Sequence, residues 1–469
     1  MKRLFDYLKA NDSWVVFLAT AGYGFCVSSL VLFFLIPTFL GDRASKEGLV
    51  DGLDSGAFHE LAVVQREEMV REGLGAWKLN PGWSDNQPAG IASLVYWVFW
   101  PHPGWMLPLN ALLHGLAGMA LYRILRLIGF GKLASGIGIL PMVVFPSNLT
   151  WLAQIHKDGF FIAGYYLYLW GGLRLMHREG LRLWTVKSVG LVVGGAWLMG
   201  LVRPYGVTLS FVAVLVVGLV LLVMRAFQEP FSKPAFLMKK GSWLLLGLLP
   251  SLVFVGFKAN GLGDANDDRE TRHTEKAEVD SLPRVGATTE EEPGDEWLTP
   301  AAIYWERSSW LPEIIDRVFQ RVAYNRQIFL GIYGYEGSTL DGERLFNRTS
   351  AVLGYLPKAF KNAWLAPYPG QLEGQARSPT GGAQRLVSNF EMLIAYLLLA
   401  ACVVRMGVLM EWRIWMVILT SSLVMLPLAI GLPAVGSLYR IRYGPFMVGL
   451  AIGAAAIVAH VRRRLEDSP

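Results

Sequence analysis

Gly90-Ile91-Ala92-Ser93-Leu94-Val95-Tyr96-Trp97-Val98-Phe99-Trp100, stopped by Pro101-His102-Pro103-Gly104, is the stretch whose reading decides how this chain is threaded. It is apolar but short, and at ~1.5 Å per residue it reaches across only about half a bilayer. Longer apolar runs lie on either side of it. With 90–100 left out, the crossing helices are 14–40, 105–125, 133–150, 158–176, 187–203, 206–224, 241–258, 388–404, 412–432 and 444–460. The basic connections 123–132, 174–187, 225–240, 405–413 and 462–464 then share the cytoplasmic side with the N-terminus. If 90–100 crosses, all of them land outside, against the positive-inside bias. The reading is an all-α polytopic membrane protein of about 10–11 transmembrane helices, with 90–100 re-entrant or lying at the surface.

Composition agrees. The chain of 469 residues is 53% hydrophobic and only 17% charged, with a mean hydropathy of +0.37, whereas a soluble domain carries about a quarter charged residues. The net charge of +6 sits in short clusters between apolar runs, which is a topology signal and not a nucleic-acid face. Cys26 and Cys402 lie inside apolar segments and suggest no disulfide framework. No CxxC or HExxH pattern marks a metal site. The uncharged run 13–40 is longer than the ~7–15 residues of a cleavable signal core, so it reads as an uncleaved first helix.

This threading divides the chain into a membrane module, 1–258, with a first outer loop at 41–104, then a large outer loop, 259–388, and C-terminal helices, 389–469. In the first loop, 58–72 reads as a helix with Phe58, Leu61, Ala62 and Met69 on one stripe and Glu67, Glu68 and Arg71 on the charged face. In the second, 261–296 reads as an acidic loop without periodicity. Two helices follow: 312–329, with Ile314, Ile315, Val318 and Val322 as its stripe, and 352–364, an amphipathic interfacial helix built on Leu353, Leu356, Phe360 and Trp364.

The threading also gathers polar residues on the outer face. Asp51 and Asp54 open the stretch Leu49-Val50-Asp51-Gly52-Leu53-Asp54, just outside the hydrocarbon, where a carboxylate stays ionised and can serve as a general base; the plainer alternative is a solvated Gly-rich turn. His156-Lys157-Asp158 follows a helix end. Lys157 there is either a point charge for a phosphate or a snorkelling anchor, and His156 alone is more often structural. Arg203, followed by Pro204-Tyr205, and the pair Arg440 and Arg442 lie on the face where positive charge is disfavoured. A planar guanidinium suits a phosphate because it donates two parallel hydrogen bonds. Arg321 and Arg326 are weaker candidates of the same kind.

In order and spacing, the chain resembles the GT-C superfamily of polytopic glycosyltransferases, such as protein O-mannosyltransferases, lipid A aminoarabinose transferases and bacterial surface-polysaccharide enzymes. The likeness runs through Asp54…Phe58-His59…Ala62, Asn80-Pro81, Leu109-Asn110…Leu121-Tyr122 and Pro146…His156-Lys157-Asp158. It continues in Leu356-Pro357…Leu365-Ala366-Pro367-Tyr368-Pro369 and Tyr439-Arg440-Ile441-Arg442-Tyr443-Gly444-Pro445. The resemblance implies a GT-C-like fold and an enzyme of cell-envelope polysaccharide biosynthesis, multi-pass in the inner (plasma) membrane. It would invert the anomeric carbon as it moves a sugar from a polyprenyl-phosphate donor to a glycan, lipid or protein acceptor on the periplasmic or extracytoplasmic face. A first-loop Asp would be the base, Asp54 first and Asp51 second. Lys157, His156, Arg203, Tyr205, Arg440, Arg442, Arg321 and Arg326 would form the donor and lipid-phosphate site. The loop lacks an Asp-x-Asp or an adjacent Asp-Glu pair, and outer-face arginines could stabilise the leaving phosphate without a metal. No cofactor is expected, and metal dependence stays open. The expected partners are membrane lipid, the lipid-linked donor and the acceptor, with no nucleic acid. The alternatives are a polysaccharide polymerase or O-antigen ligase, a non-catalytic membrane partner, and a transporter. A transporter predicts charges at the bilayer midplane and related halves.

Overall fold

The computed structural model describes residues 12–41, 45, 47–50, 54–82, 86–177, 183–228, 305–333, 339–369, 379–409 and 412–467. Asp51, the expected helix 241–258 and the acidic segment 261–296 lie outside the described residues. Within them the chain is a helical membrane protein. Two isolated β-bridges pair described residues, Glu306 with Arg348 and Thr339 with Ala434.

Five described helices are long and apolar enough to cross a membrane: α1 (Asp12–Leu40), α4 (Pro103–Leu127) and the stretches Leu386–Arg405, Arg413–Gly431 and Tyr443–Glu466. The expected single helix 133–150 is instead Lys132–Val144 (α5) and Pro146–Leu152 (α6), bent by 62°. Pro146 has no N–H to continue the ladder and its ring clashes with the preceding turn. Counted as one span, the bent pair makes a sixth. Two more apolar helices, Val186–Val202 and Pro204–Val220, are shorter. The sequence expectation of about ten crossings is thus met in the described residues by fewer helices of full length.

The centre of the bundle is α7 (Asp158–His177). Every residue from 160 to 169 is buried, as befits a helix apolar all round. Tyr165 shares a hydrogen bond with the Ser421 hydroxyl (2.9 Å), and Tyr166 donates to the Gly444 carbonyl (2.9 Å). The next helix, α8 (Leu183–Val202), approaches so closely that a Cβ on Gly195 would overlap the Gly164 carbonyl; small residues at such crossings are how membrane helices gain packing. One hydrophobic core runs from Leu113 to Ala456, so the N- and C-terminal spans pack as one body.

The described residues between α1 and α4 include a small folded unit. Helix α2 (Asp54–Glu72) buries Phe58, Ala62 and Met69, matching the expected stripe, with Leu61 half-buried. Helix α3 (Gln87–Val98) has only 12 residues, so it cannot cross a bilayer. It lays Ala89, Ala92 and Tyr96 against Phe58 and Ala62, together with Met106 and Ile155. Inside this unit Gln65 donates to the Lys78 carbonyl (2.8 Å) and accepts from Ser93 (2.8 Å).

Two expectations for the second outer loop are corrected. In α10 (Glu313–Tyr333) the stripe residues Ile314, Ile315 and Val318 are exposed, while Asp316 and Arg326 are buried. The reason is local satisfaction of polar groups. Asp316 accepts from the Trp305 indole (2.7 Å) and the Thr349 hydroxyl (2.6 Å), which ties three segments together. In α11 (Thr349–Leu365) the buried face is Val352, Tyr355, Ala359 and Ala363, and Phe360 is exposed. This face packs on α13 (Trp412–Gly431), the helix after α12 (Pro379–Leu409), so α11 is a packed helix of the bundle. The chain then ends in a short α14 (Val435–Ile441) and α15 (Tyr443–Glu466).

Candidate functional site

Four chain segments meet near the starts of α2 and α7, the end of α8 and the end of α14. Asp158, at the first turn of α7, is 2% exposed and holds two guanidinium groups. Arg203 Nη2 lies 2.8 Å from one oxygen and Arg440 Nε donates to the other at 2.8 Å. Arg203 occupies the break between α8 and α9 (Pro204–Gln228), where Pro204 interrupts the helix. Such a buried ion pair survives only with close geometry on both charges.

Arg440 uses all three of its nitrogens. Besides Asp158 it donates through Nη1 to the Asp54 carboxylate (3.1 Å) and through Nη2 to His156 Nδ1 (2.7 Å). A guanidinium has no lone pair to offer, so His156 Nδ1 accepts and the ring proton resides on Nε2. The imidazole is held neutral, its pKa pushed well below the usual histidine value by burial and then by the Arg440 charge. Burial alone would weaken the Arg440 charge, but the Asp158 and Asp54 carboxylates outweigh it and hold the group protonated.

Asp54 is the open end of this network. It starts α2, and its side chain is 57% exposed, against 19% for Arg440. A ladder of buried amides places it. Asn110, in α4, donates to the carbonyls of Leu152 and Gln154 (both 2.9 Å). Gln154 in turn accepts from the Val50 amide (3.1 Å) and the Ser55 hydroxyl (3.0 Å). A transmembrane helix therefore sets the position of the first loop through two side chains. Lys157 is half-buried beside the cluster, its ammonium 5.4 Å from the centre of the Phe58 ring.

Of the expected site residues, Asp54, His156, Arg203 and Arg440 come together and Lys157 borders them. Tyr205 lies two residues beyond Arg203 and is partly exposed. Arg442, Arg326 and Arg321 belong elsewhere. Arg442 is fully buried: its guanidinium donates to the Asn362 carbonyl (2.7 Å) and to those of Ala363 and Ala366, with the Phe446 ring 4.6 Å away. It closes the C-terminus of α11, where the last carbonyls lack helical partners. Arg326 donates to the carbonyls of Asp341 (2.6 Å), Leu340 (2.7 Å), Arg344 and Ile430 (both 3.1 Å). Arg321 is exposed on α10. Arg442 and Arg326 lie apart from the Asp54–Arg440 cluster, and both are buried with the ends of their guanidinium groups held by backbone carbonyls.

Asp158 as the hub, and Asn110 and Gln154 as the residues that place Asp54, were not among the expected site residues. Asn110 carried a signal as a lone polar residue in an apolar run, costly to bury, whereas Gln154 and Asp158 stand in a polar stretch, 154–158, that singles out neither of them. Among the described residues no grouping of three or more His, Cys, Asp or Glu side chains is arranged to hold a metal ion. Compared with known protein families, curated proteins and solved structures, the chain matches none.

Proposed function

We propose that this protein is a GT-C-type membrane glycosyltransferase that moves a sugar from a polyprenyl-phosphate donor to a hydroxyl acceptor on the extracytoplasmic face. The observation that carries this reading is one solvent-facing carboxylate, Asp54, held 3.1 Å from an arginine, Arg440, whose own position is locked by a buried carboxylate and imidazole. A base and a cation for a phosphate are the two groups such a transfer needs at one place.

In the proposed reaction the acceptor oxygen attacks the anomeric carbon from the face opposite the phosphate and a new C–O bond forms. The bond between that carbon and the phosphate oxygen breaks, and its electron pair leaves with the polyprenyl phosphate. Asp54 takes the acceptor proton, while Arg440 and Lys157 stabilise the negative charge on the leaving phosphate. An incoming phosphate competes with Asp54 for Arg440, which frees the carboxylate to face the acceptor. Asp158, His156 and Arg203 keep Arg440 in place. The acceptor is a glycan, a lipid or a protein hydroxyl, and the protein would reside in the plasma membrane.

The test is transfer of radiolabelled sugar from a panel of polyprenyl-phosphate sugars by purified protein in lipid nanodiscs, with and without EDTA. Transfer by the wild type and its loss in Asp54→Asn are expected. Full transfer in Asp54→Asn would remove the base role, and no reaction with any single-sugar donor would overturn the reading.

A further inference from the structure

Behind the ion-pair cluster, inside the bundle, is a small cavity of about 20 Å³, bordered by Asn110, His114, Asn148, Trp151, His156 and Asp158. Three buried polar atoms of these residues have no hydrogen-bond partner in the protein: His114 Nε2, His156 Nε2 and Asp158 Oδ1. The rest of each group is committed. His156 Nδ1 accepts from Arg440 (2.7 Å), and His114 Nδ1 lies 3.3 Å from the Asn148 amide nitrogen. Asp158 Oδ1 lies 2.8 Å from Arg203 Nη2, but not in line for a hydrogen bond. Two buried imidazole nitrogens without a partner, beside a carboxylate oxygen held only by an ion pair, are rare around one space in folded proteins, where buried polar groups find hydrogen bonds.

A water molecule needs roughly 10–15 Å³ for its centre and two to four polar partners. This cavity therefore has room for one and supplies three partners. We propose that it is a single-water site, and that His114, on the membrane-spanning α4, is a positioning residue that supports Asp158 and His156 through that water. The hydrogen-bond directions are constrained. Because His156 Nδ1 accepts from a guanidinium, Nε2 carries the proton and donates to the water oxygen. The water donates one hydrogen to Asp158 Oδ1 and exchanges its third bond with His114 Nε2. The outer-face cluster is in this way tied to a histidine within the bundle.

The place of the His114 ring is set by a third helix. A Cβ on Gly24 of α1 would come 2.9 Å from the His114 ring and 3.1 Å from the Leu152 side chain. The imidazole lies where it does because position 24 has no side chain. Polar residues buried in membrane helices are expensive, and they are retained where they hold water, ions or partners. This site accounts for His114, which the proposed transfer step does not use.

The experiment is water-edited solid-state NMR on the full-length protein in lipid bilayers, with 15N-labelled histidine and the His156 signal assigned through His156→Gln. In the wild type, magnetisation should pass from water protons to the side-chain nitrogens of His114 and His156. In His114→Phe, which fills the space with an apolar ring, transfer to His156 should be lost. Gly24→Ala crowds the ring while leaving every polar atom in place, and should weaken the same transfer even if His114→Phe does not fold. Absence of transfer to both imidazoles in the wild type would overturn the site. Undiminished transfer to His156 in both variants would overturn the role of His114.

Discussion

Replacing Asp158 by Asn keeps the shape of the side chain and removes one charge, which isolates what that charge does. Two guanidinium groups lie 2.8 Å from the carboxylate. Arg203 has no other carboxylate partner among the described residues, and the remaining one on Arg440 is the exposed Asp54. Removing one member of a buried pair leaves an uncompensated charge and costs about 3–5 kcal/mol. At ~1.36 kcal/mol per tenfold, that is roughly a hundred- to several-thousand-fold loss in the ratio of folded to unfolded protein. Asp54→Asn breaks a half-exposed pair and should change stability by no more than about 1 kcal/mol. Both variants should lose sugar transfer, and only Asp158→Asn should lose stability. Equilibrium unfolding in mixed micelles, read by tryptophan fluorescence, gives the two values side by side. The double variant Asp158→Asn, Arg203→Gln should recover part of the loss, since it removes the stranded charge along with its partner. If Asp158→Asn is no more destabilising than Asp54→Asn, the buried hub does not exist as described.

The neutral, buried His156 has a pKa below its unfolded value, so the unfolded chain binds its proton first as pH falls. Its contribution to stability is complete above about pH 6.5 and is lost below it by about 1.4 kcal/mol per pH unit. His156→Gln should flatten the stability–pH curve between pH 6.5 and 5, and an unchanged slope there would show that the imidazole is not held neutral. Arg442→Lys, which keeps the charge but not the forked geometry that meets three carbonyls, should destabilise the protein by about 2–3 kcal/mol and leave the KM for a lipid-phosphate donor unchanged in the protein that folds. A raised KM with intact stability would return Arg442 to the donor site.

Much of the architecture was legible in advance because the bilayer imposes a local, additive criterion. A run is either apolar and long enough or it is not, so the helices near 105–125, 158–176 and 412–432 were found within a few residues, and 388–404 matches the apolar part of a longer helix, Pro379–Leu409. The segment 90–100 was also read as too short to cross, and the helix there, Gln87–Val98, has 12 residues. Reading failed where packing competes with pattern. On α10 the apolar stripe faces outward, because Asp316 and Arg326 find better partners inside than Ile314 and Val318 do. The bend at Phe145 was missed by reading the composition of 133–150 without giving weight to its prolines.

The sequence by itself determined that this is a helical membrane protein, where its polar loops lie, and that a small set of charged residues borders the apolar segments. Those are properties of short windows, and the cost of leaving a charge or a bare backbone in hydrocarbon enforces them. Only the tertiary structure decided which charges meet. Asp54 and Arg440 are 386 residues apart in the chain, and no local rule pairs them. Nor does any local rule separate Arg440 from Arg442. One lies at a partly exposed acidic junction near the end of α14, and the other, at the break before α15, is buried against helix-terminal carbonyls, because packing alone selects which side chain is covered.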